Sequence, residues 1–140
     1  MNNRIATKIF EYLGGQGIQT HFVRLLSDRE MLIKRVEIVP IEVIVRNRAA
    51  GSLCRLLGLQ EGLYLVCPVL EFCFKNDQLG DPLINESHIR ALKIATDEEM
   101  KKISAMALGI NEHLKAFFFK LNIELIDFKL EFGRYKGLLF

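Results

Sequence analysis

Between residues 96 and 121 apolar side chains recur alternately three and four positions apart, at Met100, Ile103, Ala107, Ile110, Leu114, Phe117 and Leu121. That spacing lines one face of an α-helix. Thr96 and Glu99 form a capping box at its start, and Asp97 and Glu98 suit the positive end of the helix dipole. A stripe this long must be covered. It extends over only about three heptads with strand-like segments on either side, so it predicts packing onto a sheet rather than a coiled coil.

The flanking segments supply that sheet. Residues 20–26 and 30–36 read as strands separated by Ser27, Asp28 and Arg29, which is a hairpin signal. Residues 41–50 alternate as a strand, after a break at 37–40 where Pro40 lacks a backbone donor. A short helix over 52–57 follows, capped by Ser52 or Gly51, and 69–75 is another strand. Residues 76–95 read as loop, with Asn76, Asp77, Gly80, Asp81, Pro82 and Asn85 as turn formers. The last segments, 123–132 and 135–140, form a hairpin turned at Gly133. At the other end Asn2 or Asn3 caps a helix carrying Ile5, Ile9 and Leu13, which Gly14 and Gly15 stop. The Gly-Gly-Gln-Gly run at 14–17 follows a helix and lacks the lysine of a phosphate loop, so it reads as a helix stop. The order of elements predicts an α+β fold with mostly antiparallel sheets.

Of the 140 residues, 50% are hydrophobic and 26% charged, the balance of a soluble globular domain. The net charge of +2 makes no case for nucleic acid. No apolar run approaches the ~20 residues of a membrane helix, and the first residues do not open a signal peptide, so the cytoplasm is expected. Cys54, Cys67 and Cys73 form no C-x-x-C pair, and His21, His88 and His113 are scattered, which argues against a zinc or histidine metal site. The oligomeric state, a homo-oligomer included, is left open.

Alternation over 123–132 puts Asp127, Lys129 and Glu131 on one face and Ile126, Phe128, Leu130 and Phe132 on the other. Same-face neighbours on a strand lie about 6.5–7 Å apart, close enough for acid, base and acid to meet one substrate or hydrated cation. A solvated strand face of alternating charge shows the same pattern and is commoner. Arg46 and Arg48 share a strand face that leads into Gly51 and Ser52 at a helix start, a combination suited to an anion. An ordinary capped helix beside surface arginines fits equally. Lys75, Asn76, Asp77 and Asp81 end a strand and enter a loop, where functional residues and plain turns both occur.

The run Ile-Val-Pro-Ile-Glu-Val-Ile-Val-Arg-Asn-Arg-Ala-Ala-Gly-Ser at 38–52 and the run Leu-Ile-Asp-Phe-Lys-Leu-Glu-Phe-Gly at 125–133 resemble two signatures of the SAICAR synthetases. Residues 24–28, 74–77, 81–82 and 85–87 are also similar to that family. The resemblance implies an ATP-dependent ligase of purine synthesis. ATP would activate the carboxylate of carboxyaminoimidazole ribonucleotide as an acyl phosphate, and the amine of L-aspartate would displace phosphate, with Mg2+ bridging the nucleotide phosphates. Carried over by position, Arg46 and Ser52 would bind the ribonucleotide, with Arg48 and Asp81 on the substrate side. Lys75 and Glu131 would serve the nucleotide, Glu131 also the magnesium, and the backbone at Glu37 and Ile38 would form an adenine hinge. Asp127 and Lys129 would line the catalytic centre. The implied fold has a two-lobe nucleotide site like those of kinases and ATP-grasp enzymes. Residues 1–36 would belong to the ATP-binding lobe, and residues 37–140 to the hinge and the central substrate and magnesium domain. Family members carry further phosphate- and metal-binding segments on either side, so these 140 residues alone are expected to be inactive. A non-catalytic nucleotide- or partner-binding module is the alternative from another class. Asp127 to Leu130 also resembles part of an inositol-phosphate kinase motif, which accounts for nothing around Arg46 to Ser52.

Overall fold

A computed structural model describes residues 2–140. They form two compact units, one running to Ile38 and resuming over Gly133–Phe140, the other Val39–Phe132. The sequence division at 36/37 and this one differ chiefly in the last eight residues, which return to the first unit.

In the smaller unit, α1 (Asn2–Gly15) buries Thr7 and Leu13. The amide of Ile18 returns to the carbonyl of Leu13, with Gly17 at φ +83 making the left-handed turn. The expected first hairpin is present: β1 (Phe22–Leu25) pairs antiparallel with β2 (Met31–Ile33). Strand β3 (Glu37–Arg48) starts here, four residues before the sequence places it. The break expected at 37–40 does not occur. Proline's fixed φ suits an extended chain, and its carbonyl still accepts, here from the amide of Lys75.

The final hairpin is also displaced. Strand β6 (Asp127–Tyr135) runs through Gly133 and turns at Lys136 and Gly137 into β7 (Leu138–Leu139), with Tyr135 opposite Leu138. Both turn residues have positive φ, +51 and +77, as a two-residue hairpin requires. Gly133 serves a different need, for a Cβ there would lie 2.7 Å from Val36 Cβ.

The larger unit holds the sheet order β5-β4-β3-β6, with β4 (Tyr64–Phe74) antiparallel to β3 and β5 (Leu83–Ile84) on the far side of β4. Val39, Ile41, Val43 and Val45 of β3 are fully buried, the alternation of a strand with one core face. Helix α2 (Gly51–Leu57) follows β3. The expected loop at 76–95 instead contains a 3-10 turn over Asp77–Leu79, β5 and helix α3 (Glu86–Ala91). Asn76 and Asn85, expected as turn formers, act as caps for these pieces, which are too short to show a period.

Helix α4 (Asp97–Phe119) starts with the expected reciprocal capping box. Met100, Ile103, Ala107, Ile110 and Leu114 are buried, whereas Leu121 lies beyond the helix and is exposed. Asn111, fully buried within this stripe, exchanges side-chain hydrogen bonds with Asn47 at 2.8 and 2.9 Å, which ties α4 to β3. The result is α+β with antiparallel sheets, as expected.

Candidate functional site

The face of the larger unit's sheet opposite its apolar side carries two ionic groups. Arg46 is 5% exposed on β3. Its Nε donates to Glu71 Oε2 at 2.6 Å, NH1 to Asp127 Oδ2 at 2.7 Å and to the Ala50 carbonyl at 3.2 Å, and NH2 to Ser52 Oγ at 2.7 Å. Three elements therefore aim one guanidinium: β4 through Glu71, β6 through Asp127, and α2 through Ser52. Ser52 is not the helix cap expected of it. Ala50 occupies that position without a side-chain cap bond, because the Ser52 hydroxyl is turned to Arg46.

Four residues earlier on β3, Glu42 is 5% exposed and accepts from Lys129 Nζ at 2.6 Å, with Lys75 Nζ at 3.5 Å. Lys75 in turn donates to Glu131 Oε1 at 2.8 Å. The hydrogen bond to Glu131 holds the Lys75 ammonium above its ordinary pKa, and the bond to Glu42 does the same for Lys129, so both are cationic at neutral pH. Cys73, opposite Glu42 in the β3–β4 register, has its thiol pushed up by burial and by the charges of Glu42, Glu71 and Asp81. It is a neutral thiol, not a nucleophile.

Arg46, Ser52, Lys75, Asp127, Lys129 and Glu131 are thus brought into these two groups. Arg48 is not. The amides of Asn47 and Arg48 both donate to the carbonyl of Ile126, a β-bulge that breaks the alternation on which a shared arginine face depends. Arg48 instead makes a two-pronged bond to Glu124 at 2.7 and 2.8 Å, donates to the Gly62 carbonyl and stacks on Tyr64, 3.3 Å from the ring centre. That bond lowers the Glu124 pKa and raises that of Arg48. Asp81, at φ +49, accepts from the Asn76 amide at 2.8 Å and closes the 76–81 turn. Glu37 and Ile38 are exposed, in extended backbone of the smaller unit. A cavity of about 640 Å³, lined by residues 64–68 and 122–125 with Asn47, Lys115 and Phe119, contains none of the ionic-group residues. No cluster of three or more His, Cys, Asp or Glu placed to hold a metal occurs among the described residues.

A family model described as SAICAR synthetase matches residues 1–140. The chain belongs to the SAICAR synthetase family. It is 56% identical over 134 residues to the phosphoribosylaminoimidazole-succinocarboxamide synthase of Caldanaerobacter subterraneus subsp. tengcongensis, covering 96% of this chain and 57% of that relative. To the corresponding synthase of Clostridium novyi it is 56% identical over 137 residues, covering 98% and 58%. Among solved structures it superposes on the Ehrlichia chaffeensis synthase with a TM-score of 0.94 at 42% identity, covering 97% of this chain and 57% of that one. A SAICAR synthetase in complex with ADP gives 0.93, also at 42% identity, covering 97% and 58%. The chain therefore spans a little over half the length of the relatives it matches.

Within this SAICAR synthetase segment, Glu42 and Glu71 hold the cations; Glu42 lies inside the run at 38–52 without being singled out there, and Glu71 lies outside both runs. The signal that finds them is pairing register: Glu71 lies opposite Ile44, diagonal to Arg46, and Glu42 lies opposite Cys73.

Proposed function

We propose that these residues supply the ribonucleotide side and part of the ATP side of an ATP-dependent carbon–nitrogen ligase, which joins L-aspartate to the carboxylate of carboxyaminoimidazole ribonucleotide in purine biosynthesis. The observation that carries this reading is the buried Arg46, fixed beside Ser52 and Asp127 in a chain of the SAICAR synthetase family. One NH2 hydrogen of Arg46 and the hydroxyl hydrogen of Ser52 remain to donate to a phosphate. Arg48 and Asp81 are assigned to the substrate side as outer supports, since their side-chain bonds go to Glu124, Gly62 and the Asn76 amide.

The ATP assignment is supported by the ADP complex of a similar synthetase. In the larger unit, the Lys75 and Lys129 ammoniums offset charge on phosphoryl oxygens, the main task in such transfers. Asp127 and Lys129 border the reacting carboxylate. In the smaller unit, the backbone at Glu37 and Ile38 faces adenine. Magnesium commonly takes one or two carboxylates and fills its shell with phosphate oxygens and water, so the lack of a three-residue cluster is compatible with it. Glu131 would hold it, and the ion would neutralise phosphate charge. In the reaction the carboxylate takes a phosphoryl group from ATP, the aspartate amine attacks the carbonyl carbon, and phosphate leaves. Among the described residues no helix is long and apolar enough to cross a membrane, and a cytoplasmic site of action is assigned with the pathway.

The test is steady-state ADP release by a chain of the relatives' length that carries these residues. Release requiring both the ribonucleotide and L-aspartate is expected. Release that ignores L-aspartate, or none with both present, contradicts the proposal.

A further inference from the structure

We infer that Glu71 is a positioning residue for anion binding: it sets the plane of the Arg46 guanidinium so that the remaining NH2 hydrogen points with Ser52 toward a phosphate. This rests on the phosphate role of Arg46 and Ser52 proposed above.

Glu71 lies on the neighbouring strand, diagonal to Arg46, and its side chain is 10% exposed. Its Oε2 takes the Nε hydrogen at 2.6 Å, while Ser52 takes an NH2 hydrogen at 2.7 Å. A planar fork is oriented by its Nε bond, because fixing that edge fixes the direction of the four remaining N–H groups. Asp127 grips the other side of the fork but is 37% exposed at its side chain, so it is the partner free to yield when an anion arrives. Glu71, enclosed within the sheet, is not.

The position of a carboxylate here is informative because its charge opposes the ligand. A purely electrostatic role makes Glu71 a hindrance, and any substitution that removes its charge strengthens anion binding. A positioning role reverses the sign for substitutions that lose the Nε bond.

The experiment is calorimetric titration of a chain of the relatives' length that carries these residues with ribose 5-phosphate. Arg46→Ala abolishes binding if the underlying phosphate reading holds. Glu71→Gln keeps a carbonyl acceptor and is expected to bind as tightly as the unaltered chain or more so. Glu71→Ala is expected to bind roughly tenfold or more weakly, the cost of one misdirected charge-assisted hydrogen bond. Glu71→Asp, which keeps the charge but shortens the reach, is expected to weaken binding as well, and it serves as the readout if the alanine variant does not fold. Equal or tighter binding by Glu71→Ala or by Glu71→Asp overturns the positioning role alone. Binding that survives Arg46→Ala, or no binding by the unaltered chain, overturns the phosphate reading and this inference with it.

Discussion

At the scale of single residues, Gly133 and the Asn47–Asn111 pair are the positions where small changes have defined costs. A Cβ at Gly133 would sit 2.7 Å from Val36 Cβ and 3.2 Å from the Glu37 carbonyl. Gly133→Ala is therefore expected to destabilise by about 1–3 kcal/mol, as overpacking does. An unchanged denaturant midpoint would contradict this. Asn111 is fully buried, and its bonds to Asn47 are reciprocal. Replacing one amide removes the other's amide partner, at about 1–3 kcal/mol, although Asn47 keeps its bond to the Leu125 carbonyl, whereas replacing both removes the need for that pairing. The double variant Asn47→Ala/Asn111→Ala is expected to lose less than the sum of the two single losses. Additive losses in a double-mutant cycle would show that the amides act separately.

At the scale of elements, the capping box of α4 gives a direct expectation. Thr96 Oγ1 accepts from the Glu99 amide and Glu99 Oε2 from the Thr96 amide. Thr96→Ala should cost about 1 kcal/mol in thermal or denaturant melts, and no loss would count against it. This helix was legible because its signals are local: a cap, a dipole-matched first turn and a stripe within one segment. The strand alternation of β3 and β6 was legible for the same reason. What was not legible depends on pairing between distant segments. Glu71 matters because β4 is registered with Ile44 opposite it, and no periodicity within 64–74 states that. Arg48 leaves the company of Arg46 because Asn47 and Arg48 share the Ile126 carbonyl, a bulge defined only by the neighbouring strand. Pro40 does not break β3, because a missing donor matters only where a partner needs it, and its carbonyl makes the bond to Lys75. Gly133 offers the same turn chemistry in sequence as Lys136 and Gly137, while its actual requirement is the closeness of Val36.

At the scale of the molecule, pH dependence reports on one histidine in the range where carboxylates and lysines are quiet. His21 packs edge-on against Phe10, and burial, with the nearby charge of Lys34, holds its pKa below 6.5. The unfolded chain takes up the proton first as pH falls. Stability from the neutral imidazole is thus fully present above 6.5 and is lost as pH drops through the lower folded value. His21→Phe is expected to flatten the decline in denaturant midpoint between pH 7.5 and 5.5 relative to the unaltered chain. Parallel profiles would contradict this. The 640 Å³ cavity of the larger unit is lined by none of the residues of the ionic face. The central claim is that the ionic face takes the substrate. A crystal structure with carboxyaminoimidazole ribonucleotide bound tests it most directly. The ribonucleotide phosphate is expected within hydrogen-bonding distance of Arg46 and Ser52, and a ribonucleotide seated instead in the cavity against Tyr64, Lys115 and Glu124 rules that site out.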